Sequence, residues 1–248
     1  MFENLTKTSN RIVQRLPFLK RMLCPFYYQI TGQLPVTPGA ISEELLRKHI
    51  HTKNPLILEI GANDGTHTAW FKSIFPGAEI HCFEPCATAQ DRFLARTQTL
   101  SNVFLHRCAV AKLKGLVQFH PSVSRLDKNG AASWDASGSL REPSGHLNVH
   151  PEIQFADPIE IMATRLDDWL LERNPDRIDF IWMDVQGAEL DVFAGASESL
   201  KRTSLLYTEY SVQELYQGQP SLRQLLSAIP DFVPIVRYLD DILLVRRK

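Results

Sequence analysis

The side chains able to do chemistry gather in three short segments. The first is Leu58-Glu59-Ile60-Gly61-Ala62-Asn63-Asp64-Gly65. A glycine at the end of a strand lets the backbone turn sharply and lets a ligand approach without a Cβ in the way, and the helix that follows offers free N–H groups. Dinucleotide sites use GxGxxG, packed closely for a pyrophosphate. Here the glycines are spaced GxxxG, and an acid stands two residues before the first of them. A carboxylate at Glu59 would repel a diphosphate, yet could pair with the positive amino group of an amino-acid-bearing cofactor. The pattern therefore favours S-adenosyl-L-methionine over a nicotinamide dinucleotide, with Glu59, Gly61, Asn63 and Gly65 as candidate contacts. A tight turn with no ligand is the plain alternative.

The second segment, Phe83-Glu84-Pro85, places an acid at the tip of a second strand, where a carboxylate can accept both hydroxyls of a ribose. A solvated strand-end charge is the competing reading. As a ligand contact, Glu84 is expected to matter for cofactor binding and little for the stability of the free protein. The third segment is Met183-Asp184-Val185-Gln186-Gly187-Ala188-Glu189. Ligands collect outside the carboxyl ends of parallel strands, so Asp184 is a candidate to orient or deprotonate an acceptor, to bind a metal that does so, or to touch the cofactor itself. Glu209 ends the neighbouring strand, about 4.8 Å away, and can face the same site. His67, His146 and His150 titrate near neutrality and suit a general base, His67 first among them, although each alone is more often a surface or packing histidine. Methyl transfer needs the acceptor oxygen in line with the methyl, so positioning in a dry site supplies much of the rate without a strong base.

These segments need a scaffold, and the apolar pattern supplies one. Leu56 to Ile60, Ile80 to Phe83 and Val103 to His106 read as strands, separated by helices that start near Thr66 and Ala87. That alternation calls for a parallel sheet with right-handed crossovers. Further strands are expected at Ile159 to Met162, Phe180 to Met183 and Leu205 to Tyr207. Thr164 is expected to cap a helix with Asp167 in a capping box, and Ser221 to cap a helix from Leu222 to Ile229. Phe232 to Leu239 and Ile242 to Val245, joined at Asp240-Asp241, read as an antiparallel hairpin. Residues 121–158, rich in Ser, Gly, Pro and His, read as an insertion or lid whose Trp134, Ser137 and Ser139 wall the acceptor site. Residues 1–50 form a separate extension before a main domain at 51–248. Leu5, Ile12, Leu16, Leu19, Leu23 and Phe26 recur at helical spacing there among lysines and arginines. Such an arm would lie on the main domain, on a second subunit, or against a membrane surface or acidic partner.

The totals narrow the function. The 248 residues hold 27 lysines and arginines against 28 aspartates and glutamates, so nothing in the overall charge attracts nucleic acid. No apolar run reaches the ~18 residues of a membrane span and no secretory signal opens the chain, which predicts a soluble cytoplasmic protein. Cys24, Cys82, Cys86 and Cys108 lack metal-ligand spacing and read as reduced thiols, so no metal site is expected.

Taken together the segments resemble the FkbM family of methyltransferases. The matching pieces are LEIGANDGTHT (58–68), CFEP (82–85), Ala109 to Ala111 with Gly115, TRLDDWL (164–170), DFIWMDVQGAELDVFAGA (179–196) and the stretch 205–226. The resemblance implies a Rossmann-like class I methyltransferase fold, a seven-stranded α/β sheet whose last strand runs antiparallel. It also implies O-methylation of sugars, glycans or other natural products. Two positions depart from the family pattern: Gln186 stands where an acid is common, and Ala111-Lys112 replaces the usual Gly-Asp. The first puts any metal held there by relatives in doubt, and the second leaves the adenine contact to the backbone from Cys108 to Val110, Ala109 included. A nicotinamide oxidoreductase and a catalytically silent cofactor-binding module are the rival readings.

Overall fold

The computed structural model describes residues 34–124 and 135–247. The arm expected at 5–26, Cys24 and Trp134 lie outside the described residues. In chain order the elements are α1 (Glu43–His49), β1 (Leu56–Ile60), α2 (Thr66–Ile74), β2 (Glu79–Phe83), α3 (Ala87–Thr97), β3 (Val103–His106), β4 (Ala109–Val110), β5 (Gly115–Phe119) and β6 (Ser122–Ser124). They continue with α4 (His146–Val149), β7 (Ile153–Phe155), β8 (Ile159–Thr164), α5 (Leu166–Arg173), β9 (Ile178–Met183), α6 (Glu189–Ala194), α7 (Ser197–Arg202), β10 (Thr203–Glu209), α8 (Leu222–Ala228), β11 (Phe232–Arg237) and β12 (Asp241–Arg246).

Seven strands form one sheet in the order β11-β12-β10-β9-β1-β2-β3. The five from β3 to β10 are parallel, and β12 enters antiparallel between β10 and β11. Strands buried on both faces carry apolar residues in consecutive positions, and β1 and β9 do so. Their alternating side chains divide the core in two. Leu58, Ile60, Ile181 and Met183 pack with α5, α6 and α8 on one face, whereas Ile57, Phe180 and Trp182 pack with α1, α2 and α3 on the other. Ile41, Leu46 and Ile50, around α1, are buried in this second cluster. Each such side chain contributes roughly 1.5–3 kcal/mol. Among the described residues no helix is long and apolar enough to cross a membrane.

Beside the main sheet stand a three-stranded sheet, β4-β8-β5, and a β6-β7 ribbon. The expected cap at Thr164 is not formed. Thr164 stays in strand register opposite Val110, and α5 starts after Arg165 with no side-chain cap. Asp167 turns instead to the start of α7, accepting hydrogen bonds from Ser199 N and Oγ (both 2.8 Å), Glu198 N (3.1 Å) and Ser197 Oγ (3.1 Å). The unpaired amides of that helix offer one carboxylate more donors than a threonine hydroxyl could. The Ser221 cap of α8 forms as expected, with Gln224 completing the box.

Candidate active site

Strand order switches between the parallel neighbours β1 and β9, with β2 and β3 added on one side and β10 on the other, and the site sits at their carboxyl ends. Gly61 has φ +85°, and a Cβ there would stand 1.8 Å from the carbonyl oxygen of Asp184. Only glycine lets the two strand ends meet so closely. Asp184 N donates to Ile60 O (2.9 Å), while Gly61 N and Ala62 N both donate to Phe83 O (2.9 and 3.1 Å). The next amides are also taken within the protein: Asn63 N by Glu84 Oε2, Asp64 N by Asn63 Oδ1, Gly65 N by Ala62 O and Thr66 N by Asp64 Oδ1. The turn is thus stitched to its neighbours and offers no row of free N–H groups.

Glu84 is buried at the end of β2, where Oε1 accepts from Cys86 N (2.7 Å) and Oε2 from Asn63 N (2.8 Å). Burial pushes its carboxyl up to about 7, against the pull of those two amides and with Asp135 and Asp184 adding to the rise. It forms one wall of a cleft of about 620 Å³, whose apolar sides are Phe83, Pro85, Ala109, Val110, Phe119 and Leu140. Residues 135–140 cover this half. Asp135 anchors them, bonded to Arg92 Nη2 (2.5 and 2.7 Å), Thr88 Oγ1 (3.0 Å) and Asn63 Nδ2 (3.2 Å).

Gly61, Asn63, Ala136, Asp184 and Gln186 line this cleft and also a wider one of about 1650 Å³ that continues from it. His67, His146, His150, Glu152 and Glu209 wall the wider half. His67 packs against Trp182 with ring centroids 4.3 Å apart, and burial holds its imidazole below the usual value although Asp184 and Asp64 oppose this. It is therefore neutral, and able to accept a proton, at physiological pH. His146 is buried too, and its Nδ1 has no hydrogen-bond partner. The loop after β10 holds the floor of this half: Ser144, Gly145 and His146 all donate their amides to Leu215 O (3.0 Å each), and Gln217 N donates to Glu142 O (2.8 Å).

Where the halves meet, Gln186 Nε2 donates to Asp184 Oδ1 (2.7 Å) and to Glu209 Oε2 (3.0 Å). Its Oε1 accepts from the buried Tyr216 hydroxyl (2.8 Å). Burial first, then the Asp184 charge, raises the Glu209 carboxyl well above the usual carboxylate range.

The structure thus brings Gly61, Asn63, Glu84, Ala109, Asp184, His67 and Glu209 to one cleft. Two sequence candidates fall elsewhere. Glu59 is fully buried under the turn, bonded to Thr68 Oγ1 and Cys82 Sγ, and lines neither half. The two-residue period of β1 turns its side chain away from the cleft, toward α2. Gly65 also lies below the cleft. Its φ is +78°, and a Cβ would come within 2.9 Å of the Phe93 ring, so packing of α3 explains it. Asp135, Tyr216 and Phe119 belong to the site and were missed. No local motif marks them, and only the fold carries them there from distant segments.

Comparisons with known proteins identify the family. Residues 59–241 match the methyltransferase FkbM domain. The 2-O-methyltransferase NoeI of Sinorhizobium fredii is 43% identical over 185 residues, covering 75% of each chain. Methyltransferase sdnD of Sordaria araneosa is 30% identical over 194 residues, covering 69% of this chain and 73% of that one. Among solved structures, an rRNA methylase from Streptococcus thermophilus aligns with a TM-score of 0.46 at 10% identity, covering 83% of this chain and 94% of that one. This chain is a methyltransferase and belongs to the FkbM methyltransferase family.

Proposed function

We propose that this methyltransferase uses S-adenosyl-L-methionine to methylate a hydroxyl oxygen of a sugar-like or other small acceptor. The observation that carries the cofactor is the state of the glycine turn. Every amide from Gly61 to Thr66 already serves a protein acceptor, so the turn has nothing with which to cradle a pyrophosphate. An uncharged adenosyl group fits the neighbouring slot, with Glu84 at its end to accept ribose hydroxyls and Ala109, Val110 and Phe119 to enclose the adenine. The bound cofactor would supply a sulfonium methyl, an electrophile that needs no metal to be transferred.

The wider half is the acceptor side. Asp184 stands on the border of both halves, where it can receive a hydrogen bond from the hydroxyl being methylated. His67, neutral and half-sheltered by Trp182, takes the proton that this hydroxyl releases. Oxygen as the acceptor atom also agrees with the 2-O-methyltransferase NoeI, the more similar of the two relatives described. The test pairs calorimetry with S-adenosylhomocysteine and transfer of labelled methyl to a panel of glycans and hydroxylated small molecules. We expect saturable binding and product methylated on oxygen. No binding at millimolar ligand, or product methylated on nitrogen or carbon, overturns the reading.

A further inference from the structure

Gln186 has no place in the roles above, yet its side chain joins Asp184, Glu209 and Tyr216. Its backbone is held at φ +52°, in the left-handed region, and its carbonyl accepts from Ser139 Oγ (2.7 Å) on the covering segment. The Tyr216 hydroxyl that donates to its Oε1 also lies 2.8 Å from Ser137 O on the same segment. The two carboxyl oxygens orient the amide: Asp184 Oδ1 and Glu209 Oε2 both need donors, so the –NH2 faces them and Oε1 is left toward the Tyr216 hydroxyl, whose one proton is shared between Oε1 and Ser137 O. Both protons of that –NH2 then have partners, Asp184 and Glu209.

We propose that Gln186 is the positioning residue of the acceptor site: its amide clamps the carboxyls of Asp184 and Glu209 side by side and ties the pair, through Tyr216 and Ser139, to the segment that covers the cofactor slot. Two half-buried carboxyls without such a donor repel or splay, and neither then holds a fixed place for an acceptor hydroxyl. Burial and the neighbouring Asp184 hold the Glu209 carboxyl well above the usual carboxylate range, which lessens repulsion within the pair that the amide bridges. Glu189 on α6 and Asp241 on β12 add to the rise of Glu209, and the histidine that faces Asp184 from α2 is His67, whose imidazole burial holds below its usual value. Arg141, which follows the covering segment, is bonded to Asp191 (2.6 Å).

The assignment of this half to the acceptor rests on the proposed function, but the clamp can be tested without cofactor or acceptor. Protein labelled with 13C at glutamate carboxyls is titrated by NMR as wild type, Gln186→Met and Tyr216→Phe. Burial and Asp184 place the Glu209 midpoint well above ordinary glutamates in wild type, and the clamp predicts that losing the amide donor raises it further, by about half a pH unit or more, in Gln186→Met. Tyr216→Phe, which leaves residue 186 intact, moves it in the same direction by a smaller amount. Coincident midpoints in all three proteins overturn the clamp, even if S-adenosylhomocysteine binds normally. Failure of wild type to bind that ligand, with the midpoints shifted as expected, sinks the cofactor assignment and leaves the clamp standing. With an acceptor in hand, Gln186→Met should lower kcat about tenfold or more, a larger effect than on affinity for S-adenosylhomocysteine. The activity of Gln186→Glu relative to wild type should rise as pH falls, because only the protonated acid can donate as the amide does. A relative activity independent of pH contradicts the role.

Discussion

Replacing Glu84 by glutamine keeps the shape and removes one acceptor oxygen, which makes it a sharp probe of the cofactor slot. In the wild type each carboxyl oxygen receives one backbone N–H, from Cys86 at 2.7 Å and from Asn63 at 2.8 Å. In Glu84→Gln the new –NH2 must face one of those N–H groups, leaving a buried donor unsatisfied at about 1–3 kcal/mol. For a protein of this size ~2 kcal/mol lowers Tm by about 4–8 °C. This amends the sequence-based expectation that Glu84 matters to the ligand alone. It also braces the turn. The same change removes one charge-assisted hydrogen bond to a ribose hydroxyl, worth about 1.5–3 kcal/mol, so Kd for S-adenosylhomocysteine should rise about 10- to 150-fold. The pH dependence gives a second check. Glu84 holds its proton up to about 7, and the form that accepts two hydroxyls is the ionised one. Wild-type affinity should therefore fall as pH drops below about 7, by up to about tenfold per pH unit, while the glutamine variant shows no such slope. Calorimetry from pH 5.5 to 8.5, on the order of the range bracketing that midpoint, reads both effects. Equal affinities and equal slopes in the two proteins would refute the assignment of Glu84 to the ribose.

Four further outcomes follow from the same geometry. Glu59 is raised to about 8 by burial, so it contributes stability that is present below about 4.5 and lost as pH climbs through about 8; Glu59→Gln escapes that loss. Its Tm should overtake the wild type's between pH 5 and 9, roughly the span of that linkage, by at most about 5 kcal/mol in free energy, with ligand affinity within about threefold. A collapse of affinity would instead return Glu59 to direct contact with the cofactor. His67→Gln should cut kcat about 100-fold at unchanged Kd for S-adenosylhomocysteine, and a kcat within threefold would mean that positioning alone suffices. Gly61→Ala, whose Cβ meets Asp184 O at 1.8 Å, should cost ~4 kcal/mol or more and show as loss of soluble, cooperatively melting protein. Asp167→Ala strips four donors of their acceptor at the start of α7 and should cost about 3 kcal/mol in urea melts, with the methyl-transfer rate of the folded enzyme unchanged.

The central scaffold was legible in the sequence because its signals are local. Runs such as Leu56–Ile60 and Ile178–Met183 are apolar enough to be buried on both faces, and the reversal at Asp240-Asp241 announces the antiparallel pair of β11 and β12. Gly61, Glu84 and Asp184 could be read for a similar reason, since each stands at the end of such a strand. Orientation was harder to see. Whether Glu59 faces the ligand or the helix layer depends on one residue of register, and its acidity argued for the ligand while its strand position put it under α2. Thr164 and Asp167 satisfied a capping pattern in spacing, yet each found another partner once α7 folded nearby. Residues such as Tyr216 and Asp135 carry no signature of their own. Their roles arise from contacts across 30 and 72 positions of the chain, to Gln186 and Asn63 respectively.

The three amides that converge on the Leu215 carbonyl make two distant stretches of sequence a single mechanical part. Anyone exchanging acceptor preference between relatives by grafting the region around 135–150 would import a wall without its foundation. A transplant that also carries 209–219 keeps Tyr216, Glu209 and Leu215 matched to the incoming backbone. Substrate range in this enzyme is therefore expected to be heritable only in such paired blocks, and recombination between the two should yield folded proteins that no longer turn over.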